Sequence, residues 1–385
     1  MKFLLTLFLC FSFLSPRYSK NETQFVNDTD LGLHTSNAIL IEANSGKVLY
    51  EENADEKHYP ASMTKMMGMY LVLKAIDEKK ITFEDQVTCS SYASSMGGTQ
   101  IFLEEGEQMS VKDLFKSVAI NSANDAITAL GEHLEGSTEA FVKKMNQTAK
   151  DLGMKNTVFK NPTGFDDKEH VTTPRDMAII AFHLVKYNEL LFQFTRLKEA
   201  YVREDSSSPF WLVNTNKMLG HYEGMDGLKT GYTSLAKYNL TATAIRNGIR
   251  LISVVMNEET IACRSQDTTK LLNYGFSKLE LIRLYPLHKQ LCTHTFLKSL
   301  TKDTPIVTKN EVNLVVNKGT EIESLSAKIE MIKDSAPLKK DELVGYLVIL
   351  DKQGNEYRFE LIVLEDVNIM NFLDYFKEAL LNFFA

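Results

Sequence analysis

The sequence predicts an α+β protein in which both ends of a long region contribute strands to one sheet, followed by a small all-β domain. Three observations predict this architecture: strand-like runs at both ends of residues 35–280, helical patterns between them, and short β-like runs over residues 285–365. Strands that flank a block of helices favour an α+β fold over an alternating βαβ one. A chain of 385 residues is long enough for two domains.

The first strands are predicted on either side of a glycine turn. Asn37–Ala43 and Lys47–Glu51 are β-rich and flank Asn44-Ser45-Gly46, which favours a hairpin. Helical spacing of apolar residues then dominates from Ser62 to about Tyr187. Its clearest segments are Val111–Ile120, Asp125–Leu134 and Thr138–Leu152.

Strand patterns return later in the chain. They lie at Leu240–Ile245 and Arg250–Met256, ahead of a predicted helix over Ser265–Leu279. After Leu279 the strand-like runs become short and recur between turn signals. They are Ile306–Val307, Val312–Val316, Val344–Leu350 and Tyr357–Val363, with a hairpin loop predicted at Asp351–Asn355. Residues 285–365 are therefore predicted to form the all-β domain.

The N-terminus has the pattern of a secretory signal. Lys2 precedes an apolar run, Phe3–Leu14, which ends at Ser15-Pro16-Arg17. A positive start, a short apolar core and a polar break predict a signal segment over residues 1–20. The run is short for a helix that spans a bilayer. The alternative is a buried N-terminal helix.

The C-terminus predicts an amphipathic helix over residues 368–385. Its polar residues fall on one helical face, and apolar and aromatic residues cover the rest: Asn371, Asp374, Lys377, Glu378 and Asn382 against such residues as Phe372, Phe376 and Phe383. Such a helix can lie in a membrane interface, although this polar face is not rich in Lys and Arg. The alternative is a helix docked on the protein's own surface.

Charge and ligand spacing exclude several classes of function. The net charge of −7 argues against nucleic acid as a partner, because phosphate binding needs a basic surface. The four cysteines, Cys10, Cys89, Cys263 and Cys292, are far apart and are expected to be reduced thiols rather than a disulfide framework. The eight histidines show no ligand spacing, so we expect neither a metal site nor a cofactor.

The central chemical feature is Ser62-Met63-Thr64-Lys65, at the start of the apolar run Met66–Ile76. A helix that is apolar nearly all round is buried, and residues three apart lie on the same face. Burial disfavours the charged form of Lys65. A neutral lysine beside a serine hydroxyl is a general base beside a nucleophile.

The same spacing also occurs at Ser234–Lys237 and Ser299–Lys302. Neither copy opens a long apolar helix, so neither lysine is forced to become neutral. Context therefore selects the Ser62 copy as the nucleophile.

Two further elements follow in order along the chain. Ser122-Ala123-Asn124 lies between two helical segments, where its polar side chains could contact Lys65 and a substrate, or could instead cap a helix. Gly227–Thr233, with the sequence G-L-K-T-G-Y-T, is predicted on an edge strand beside the nucleophile. There Lys229 and Thr230 could bind a carboxylate, and Gly231 would allow a substrate backbone to approach closely. The alternative is an ordinary strand end with a turn.

The ordered set of three motifs resembles the serine-type D-alanyl-D-alanine carboxypeptidases, the low-molecular-mass penicillin-binding proteins. The resemblance covers about residues 35–365. It includes P-A-S-M-T-K at 60–65, N-S-A-N-D-A at 121–126, K-N-P-T-G-F at 160–165, D-G-L-K-T-G-Y-T at 226–233 and R-L-I-S-V-V at 250–255. It implies an antiparallel sheet flanked by helices with a helical subdomain, as in DD-peptidases and β-lactamases.

The resemblance also implies a role for each site residue. Ser62 would attack the peptide bond between two terminal D-alanines of a peptidoglycan stem peptide, and Lys65 would take its proton. Ser122 would relay a proton to the leaving group, Asn124 would hold the substrate amide, and Lys229 would support the electrostatics. Backbone N–H groups of Ser62 and Tyr232 would form the oxyanion hole. Lys229, Thr230, Gly231 and Arg250 would bind the substrate, with Thr230 and Arg250 at its carboxylate.

The resemblance further implies inhibition by β-lactams and a location outside the cytoplasm, at the outer face of the membrane. Two positions depart from the pattern frequent in relatives: Ala123 stands where Gly is common, and Tyr232 where some members have His.

Three other functions share parts of the pattern. A class A-like β-lactamase would need a Glu in an E-x-x-L-N loop, which residues 161–173 lack. An endopeptidase or transpeptidase would use the same site on cross-linked peptides. An inactive wall-binding scaffold would keep the fold without acylation, although all the reactive groups are present.

Overall fold

The computed structural model describes residues 29–352 and 354–376. The predicted signal segment lies outside the described residues, as do positions 377–385 of the predicted terminal helix. The chain forms two compact units, Met1–Arg246 with Arg250–Gly275, and Asn247–Ile249 with Phe276–Ala385. No helix of the described part of the chain is both long enough and apolar enough to cross a membrane.

Nine strands lie wholly or almost wholly in the first unit, as far as the structure describes it. They are β1 Ala38–Glu42, β2 Val48–Glu52, β3 Gln86–Thr88, β4 Gln108–Ser110, β5 Glu199–Val202, β6 Phe210–Val213, β7 Met225–Thr233, β8 Lys237–Arg246 and β9 Ile249–Glu258. Five of them form the main sheet in the order β2-β1-β9-β8-β7. Strand β1 pairs antiparallel with β2 and β9, and β7 pairs antiparallel with β8.

The helices of this unit come mainly from the middle of the chain. They are α1 Lys65–Asp77, α2 Ser91–Ser94, α3 Val111–Asn121, α4 Asn124–Glu135, α5 Thr138–Asp151, α6 Pro174–Leu184, α7 Asn188–Thr195 and α8 Ile261–Lys278, with 3-10 helices at Ala61–Thr64 and Val185–Tyr187. Helix α1 is apolar nearly all round because it runs through the core, where Met66, Met67 and Met69 are completely buried.

Serine and threonine caps set where several helices begin. The hydroxyls of Ser110, Ser137 and Thr173 accept backbone N–H groups in the first turns of α3, α5 and α6. Gly136, at φ +83°, ends α4 immediately before the Ser137 cap. These local signals account for the close match between the predicted and observed bounds of α3, α4 and α5.

The predicted α+β arrangement is confirmed, with strands from both ends of the region in one sheet and helices between them. The first two strands form the expected hairpin, and the motif strand β7 is an edge strand, as predicted. Helices dominate between Ser62 and Tyr187, as predicted, but two short strands that were not predicted, β3 and β4, also pair there. Strands of three residues are too short to show a period of two.

The second unit is all β, as predicted. Its strands are β10 Leu279–Tyr285, β11 Gln290–His294, β12 Thr304–Thr308, β13 Val312–Asn317, β14 Ser326–Met331, β15 Leu343–Leu350 and β16 Glu356–Ile362. Strand β10 pairs with β13, and the others form a sheet in the order β11-β12-β16-β15-β14. The sequence analysis missed β10, β11 and β14. The predicted boundaries of the domains remain predictions.

Candidate active site

The serine and lysine of the first motif lie at the junction of a 3-10 helix and α1. Ser62 belongs to the 3-10 helix Ala61–Thr64, and Lys65 is the first residue of α1. The Lys65 Nζ lies 2.9 Å from Ser62 Oγ. The spacing of three residues places the two side chains on one face, as the sequence predicted.

Burial determines the protonation of Lys65. Its side chain is completely buried, which lowers the pKa of Lys65 well below the ordinary value of a lysine. The positive charge of Lys229 lowers this pKa further, whereas the Asp125 carboxylate opposes the shift. The lysine can therefore be a neutral proton acceptor beside the serine hydroxyl.

Lys229 of the third motif is also buried, at 1% exposure. Burial, aided by the nearby Arg264 guanidinium, lowers the pKa of Lys229 to about 7. Its Nζ donates to the Thr230 carbonyl at 3.1 Å. The buried Lys229 thus favours the neutral form of Lys65 whenever it carries its charge.

Glycines allow the chain to approach the nucleophile closely from two sides. A Cβ on Gly231 of β7 would lie 2.6 Å from the Pro60 carbonyl oxygen, and one on Gly164 would lie 1.9 Å from the Ala61 carbonyl oxygen. Such contacts leave no room for a larger residue. Gly231 was expected to admit a substrate backbone; in the structure it also admits the segment that carries Ser62.

The second motif lies between α3 and α4. Ser122 ends α3 in the left-handed conformation, at φ +68°, and Asn124 begins α4. Ser122 is thus the C-cap of α3 through its backbone, whereas the N-cap of α4 is Ala123, without a side-chain cap hydrogen bond. The polar side chains of the motif therefore do not cap α4. Within the described part of the chain, the buried Ser122 Oγ has no hydrogen-bond partner. A buried hydroxyl without a partner is unusual in a folded protein and points to a functional role.

The Asn124 amide is held by a neighbouring loop. Its Nδ2 donates to the Gly97 carbonyl at 2.8 Å. Asp125, which follows it, accepts the backbone N–H groups of Ile101 and Leu103. These bonds fix the loop against the start of α4, and with it the direction of the Asn124 side chain.

Thr230 meets a residue that the sequence analysis missed. Its Oγ1 donates to Thr215 Oγ1 at 2.7 Å. Thr215 follows β6 and is tied to the end of α3 by a bond from its backbone N–H to the Ile120 carbonyl. A threonine in a loop has no distinctive sequence signal, so only the fold reveals this hydroxyl pair.

The side chain of Arg250, which is predicted to help Thr230 bind the substrate carboxylate, is held by neighbouring residues. Its guanidinium forms an ion pair with Asp226 at 2.8 Å, donates to Thr243 and stacks on the Phe192 ring. Thr243 of β8 pairs with Gly227 of β7. Gly227 lies three residues before Thr230, a separation of about 10 Å along the strand. The predicted help of Arg250 in carboxylate binding remains a prediction.

The Tyr232 side chain lies outside the buried part of the site. It is 56% exposed and stacks on Tyr238, with ring centroids 4.4 Å apart. The predicted oxyanion donor at this position is the backbone N–H, which does not depend on the side chain. A tyrosine is therefore compatible with that role.

A turn before α6 completes the surroundings of Lys65. The Lys65 Nζ donates to the Thr163 carbonyl at 2.6 Å. This contact could not be predicted from the sequence, because a main-chain carbonyl has no signature in residue types. The site as a whole combines a serine hydroxyl, a buried lysine with a lowered pKa and an unpartnered hydroxyl, a combination that suits acyl transfer.

Comparison with known proteins agrees with this chemistry. The model of the D-alanyl-D-alanine carboxypeptidase family matches residues 23–260, and that of the penicillin-binding protein 5 C-terminal domain matches residues 282–368. The chain is 42% identical to the D-alanyl-D-alanine carboxypeptidase DacF of Bacillus subtilis over 356 residues, which cover 91% of this chain and 90% of DacF.

Solved structures show the same similarity. Penicillin-binding protein 5 of Haemophilus influenzae matches with a TM-score of 0.66 and 32% identity, over 87% of this chain and 98% of that one. Penicillin-binding protein D2 of Listeria monocytogenes, in its ampicillin-bound form, matches with a TM-score of 0.58 and 32% identity, over 64% of this chain and 100% of that one.

Proposed function

The chain belongs to the D-alanyl-D-alanine carboxypeptidase family, and we propose that it acts through an acyl-enzyme on Ser62. It is a serine hydrolase that removes the terminal D-alanine from peptidoglycan stem pentapeptides. The observation that carries the proposed site is the 2.9 Å contact of Ser62 Oγ with the Nζ of a completely buried lysine.

Acylation begins with attack of Ser62 Oγ on the carbonyl between the two D-alanines. Lys65 accepts the hydroxyl proton, and the developing oxyanion is stabilised by the backbone N–H groups of Ser62 and Tyr232. The C–N bond then breaks, and Ser122 passes a proton to the departing amine. The orphaned Ser122 hydroxyl supports this role, because a substrate nitrogen would supply the partner that it lacks.

The remaining residues bind and orient the substrate. Asn124, fixed by Gly97, holds the substrate amide. Thr230 receives the terminal carboxylate beside Lys229: its hydroxyl proton, which is donated to Thr215 Oγ1 without substrate, turns to the carboxylate when the substrate binds. Water hydrolyses the Ser62 ester to release the shortened peptide. The site uses no metal or cofactor in any of these steps.

β-Lactams should acylate Ser62 in the same way. The Listeria relative was solved in an ampicillin-bound form. Residues 161–173 of this chain contain Asp166, Asp167 and Glu169 but not the deacylating pattern of class A β-lactamases. We therefore expect a slowly hydrolysed adduct rather than rapid turnover.

The function is tested by two assays on the wild-type protein. Benzylpenicillin should give one covalent equivalent by intact-protein mass, and a stem pentapeptide should yield tetrapeptide and free D-alanine. A cross-linked peptide dimer, assayed in parallel, measures any endopeptidase activity. Absence of both an adduct and D-alanine release, with no hydrolysis of benzylpenicillin, would show that the fold is inactive.

The terminal segment supports a location at the outer face of the cytoplasmic membrane. The described part of the predicted helix is exposed rather than docked on the protein: Phe372 is 81% exposed and Phe376 is 56% exposed. Such aromatic side chains fit the interfacial region of a bilayer. The remaining residues of the segment, Lys377–Ala385, include Leu380, Leu381 and Phe383.

Deletion of residues 372–385 should abolish co-sedimentation with phosphatidylglycerol-containing vesicles and leave D-alanine release from pentapeptide unchanged. This cut keeps the bond from the Leu300 N–H to the Asn368 carbonyl, so the second unit retains its pairing there. Leu287→Ser, at a side chain that is 53% exposed elsewhere in that unit, is the matched control and should still bind. Continued vesicle binding by the truncated chain would place the anchor elsewhere.

A further inference from the structure

A turn over residues 161–165 presses a main-chain carbonyl against the proposed general base. Of the two hydrogen bonds of Lys65 Nζ, the one to the Thr163 carbonyl is shorter, at 2.6 Å, than the one to Ser62 Oγ, at 2.9 Å. Thr163 is 3% exposed and Lys65 is completely buried. Bulk water therefore does not compete for this contact.

The identity of the acceptor matters for proton transfer. A carbonyl has no proton, so it must receive an N–H from the lysine. A neutral amine has two N–H groups and one lone pair. Committing one N–H to Thr163 fixes the orientation of the nitrogen, and leaves the lone pair free to face the Ser62 hydroxyl.

The Thr163 carbonyl also stabilises the positive charge that Lys65 acquires when it takes the Ser62 proton. The new ammonium keeps its bond to the Thr163 oxygen, whose dipole stabilises the positive charge. A carboxylate in the same place would favour a charged lysine in the resting enzyme. A neutral acceptor thus supports the ammonium when it forms without preventing Lys65 from being neutral beforehand.

The Asn161 side chain holds this carbonyl in place. Its Oδ1 accepts the backbone N–H groups of Thr163, Gly164 and Phe165 at 3.2, 2.8 and 3.0 Å, and the Thr163 hydroxyl at 2.9 Å. Its Nδ2 donates to the Phe165 carbonyl at 3.1 Å. A single amide therefore organises the whole turn.

The turn is also fixed relative to the nucleophile. Gly164 has φ +88°, and a Cβ there would lie 1.9 Å from the Ala61 carbonyl oxygen. The backbone of the turn thus packs on the residue before Ser62. Asn161, Thr163 and the nucleophile form one packed assembly around Lys65.

We propose that Asn161 is a positioning residue for acylation, which sets the direction of the Lys65 lone pair through the carbonyl of Thr163. This inference rests on the proposed function, since it assumes that Lys65 takes the Ser62 proton. Asn161 itself touches neither the substrate nor the reacting atoms, and it acts only through the turn.

The test compares second-order rate constants for acylation by benzylpenicillin across pH. Asn161→Ala should lower the rate constant about 100-fold, the scale of a misplacement of about 1 Å in a catalytic group. Asn161→Asp retains the acceptor oxygens but adds a negative charge, which stabilises the Lys65 ammonium. The acidic limb of the pH profile is the range in which the rate constant falls as the pH is lowered. In Asn161→Asp this limb should move to higher pH, because Lys65 becomes protonated at a higher pH.

Asn146→Ala is the matched control. The Asn146 side chain anchors the same loop at Phe159, with bonds of 2.7 and 2.9 Å to its carbonyl and N–H. Its loss should lower thermal stability while leaving the acidic limb in place. This separates positioning of Lys65 from general stabilisation of the loop.

The outcomes are distinguishable. A folded Asn161→Ala protein that is acylated within about threefold of the wild-type rate, below the effect expected of misplacement, would overturn the inference. If that variant does not fold, an unshifted acidic limb in Asn161→Asp would overturn it instead. Failure of the wild-type protein to be acylated would overturn the proposed function, not this inference alone.

Discussion

Replacing Ser62 with alanine should abolish both D-alanine release and the benzylpenicillin adduct. Loss of a serine nucleophile removes about 10⁶ of the rate in a comparable serine hydrolase, so activity should fall below detection. The measurements are intact-protein mass after incubation with benzylpenicillin, and release of D-alanine from a pentapeptide. The fold should survive, because the change removes one hydrogen bond, between Lys65 Nζ and Ser62 Oγ.

A second serine of the same spacing provides the control for this variant. Ser234 is exposed, and its lysine, Lys237, forms an ion pair with Glu259. Ser234→Ala should therefore keep the full adduct and full activity. An adduct on Ser62→Ala, located by peptide mapping, would identify a different nucleophile and contradict the mechanism proposed here.

The contrast between these copies shows why the sequence could single out Ser62 as the candidate nucleophile. Three residues of spacing place any Ser–Lys pair on one helical face, but only burial makes the lysine a base. The run Met66–Ile76 carries the burial signal in its composition. The third copy confirms the limit of the spacing alone, since Ser299 Oγ is used to accept the Thr301 N–H and to donate to the Thr301 carbonyl.

Other parts of the site could not be predicted because they depend on the backbone or on distant pairing. The Thr163 carbonyl touches Lys65 across 98 positions of sequence, and every residue type has such a carbonyl. Thr215 reaches Thr230 only because its loop folds against the edge strand. The ion pair of Arg250 with Asp226 joins two strands and has no sequence signal either, and the predicted help of Arg250 at the substrate carboxylate remains a prediction.

The helices and strands also divide into those that local sequence signals predict and those that depend on distant partners. The bounds of α3, α4 and α5 were predictable because caps and periodicity are local. The pairs β3–β4 and β5–β6 were missed because short strands show little alternation and depend on a partner. Local signals therefore predicted the main elements, and long-range packing decided the rest.

Replacing Lys65 should have the second largest effect. Lys65→Ala removes the proton acceptor for Ser62, and we expect the acylation rate at neutral pH to fall about 10⁴-fold, the upper range for general-base catalysis. Lys65→Met should behave in the same way while it fills most of the space. In both variants the acidic limb of the wild-type pH profile should disappear, because that limb reports protonation of Lys65.

Stability provides a second measurement with a definite sign. Because burial holds the folded-state pKa of Lys65 well below its unfolded value, the folded protein binds fewer protons than the unfolded chain between those two pKa values. Wild-type stability should therefore rise with pH through this window, up to about 10.4, as far as Lys65 contributes. Lys65→Met has no such pH-dependent contribution from a buried lysine. Its melting temperature should therefore exceed that of the wild type by more at pH 7 than at pH 10. An equal difference at both pH values would mean that Lys65 is charged in the folded protein at neutral pH, and the base would have to be sought elsewhere.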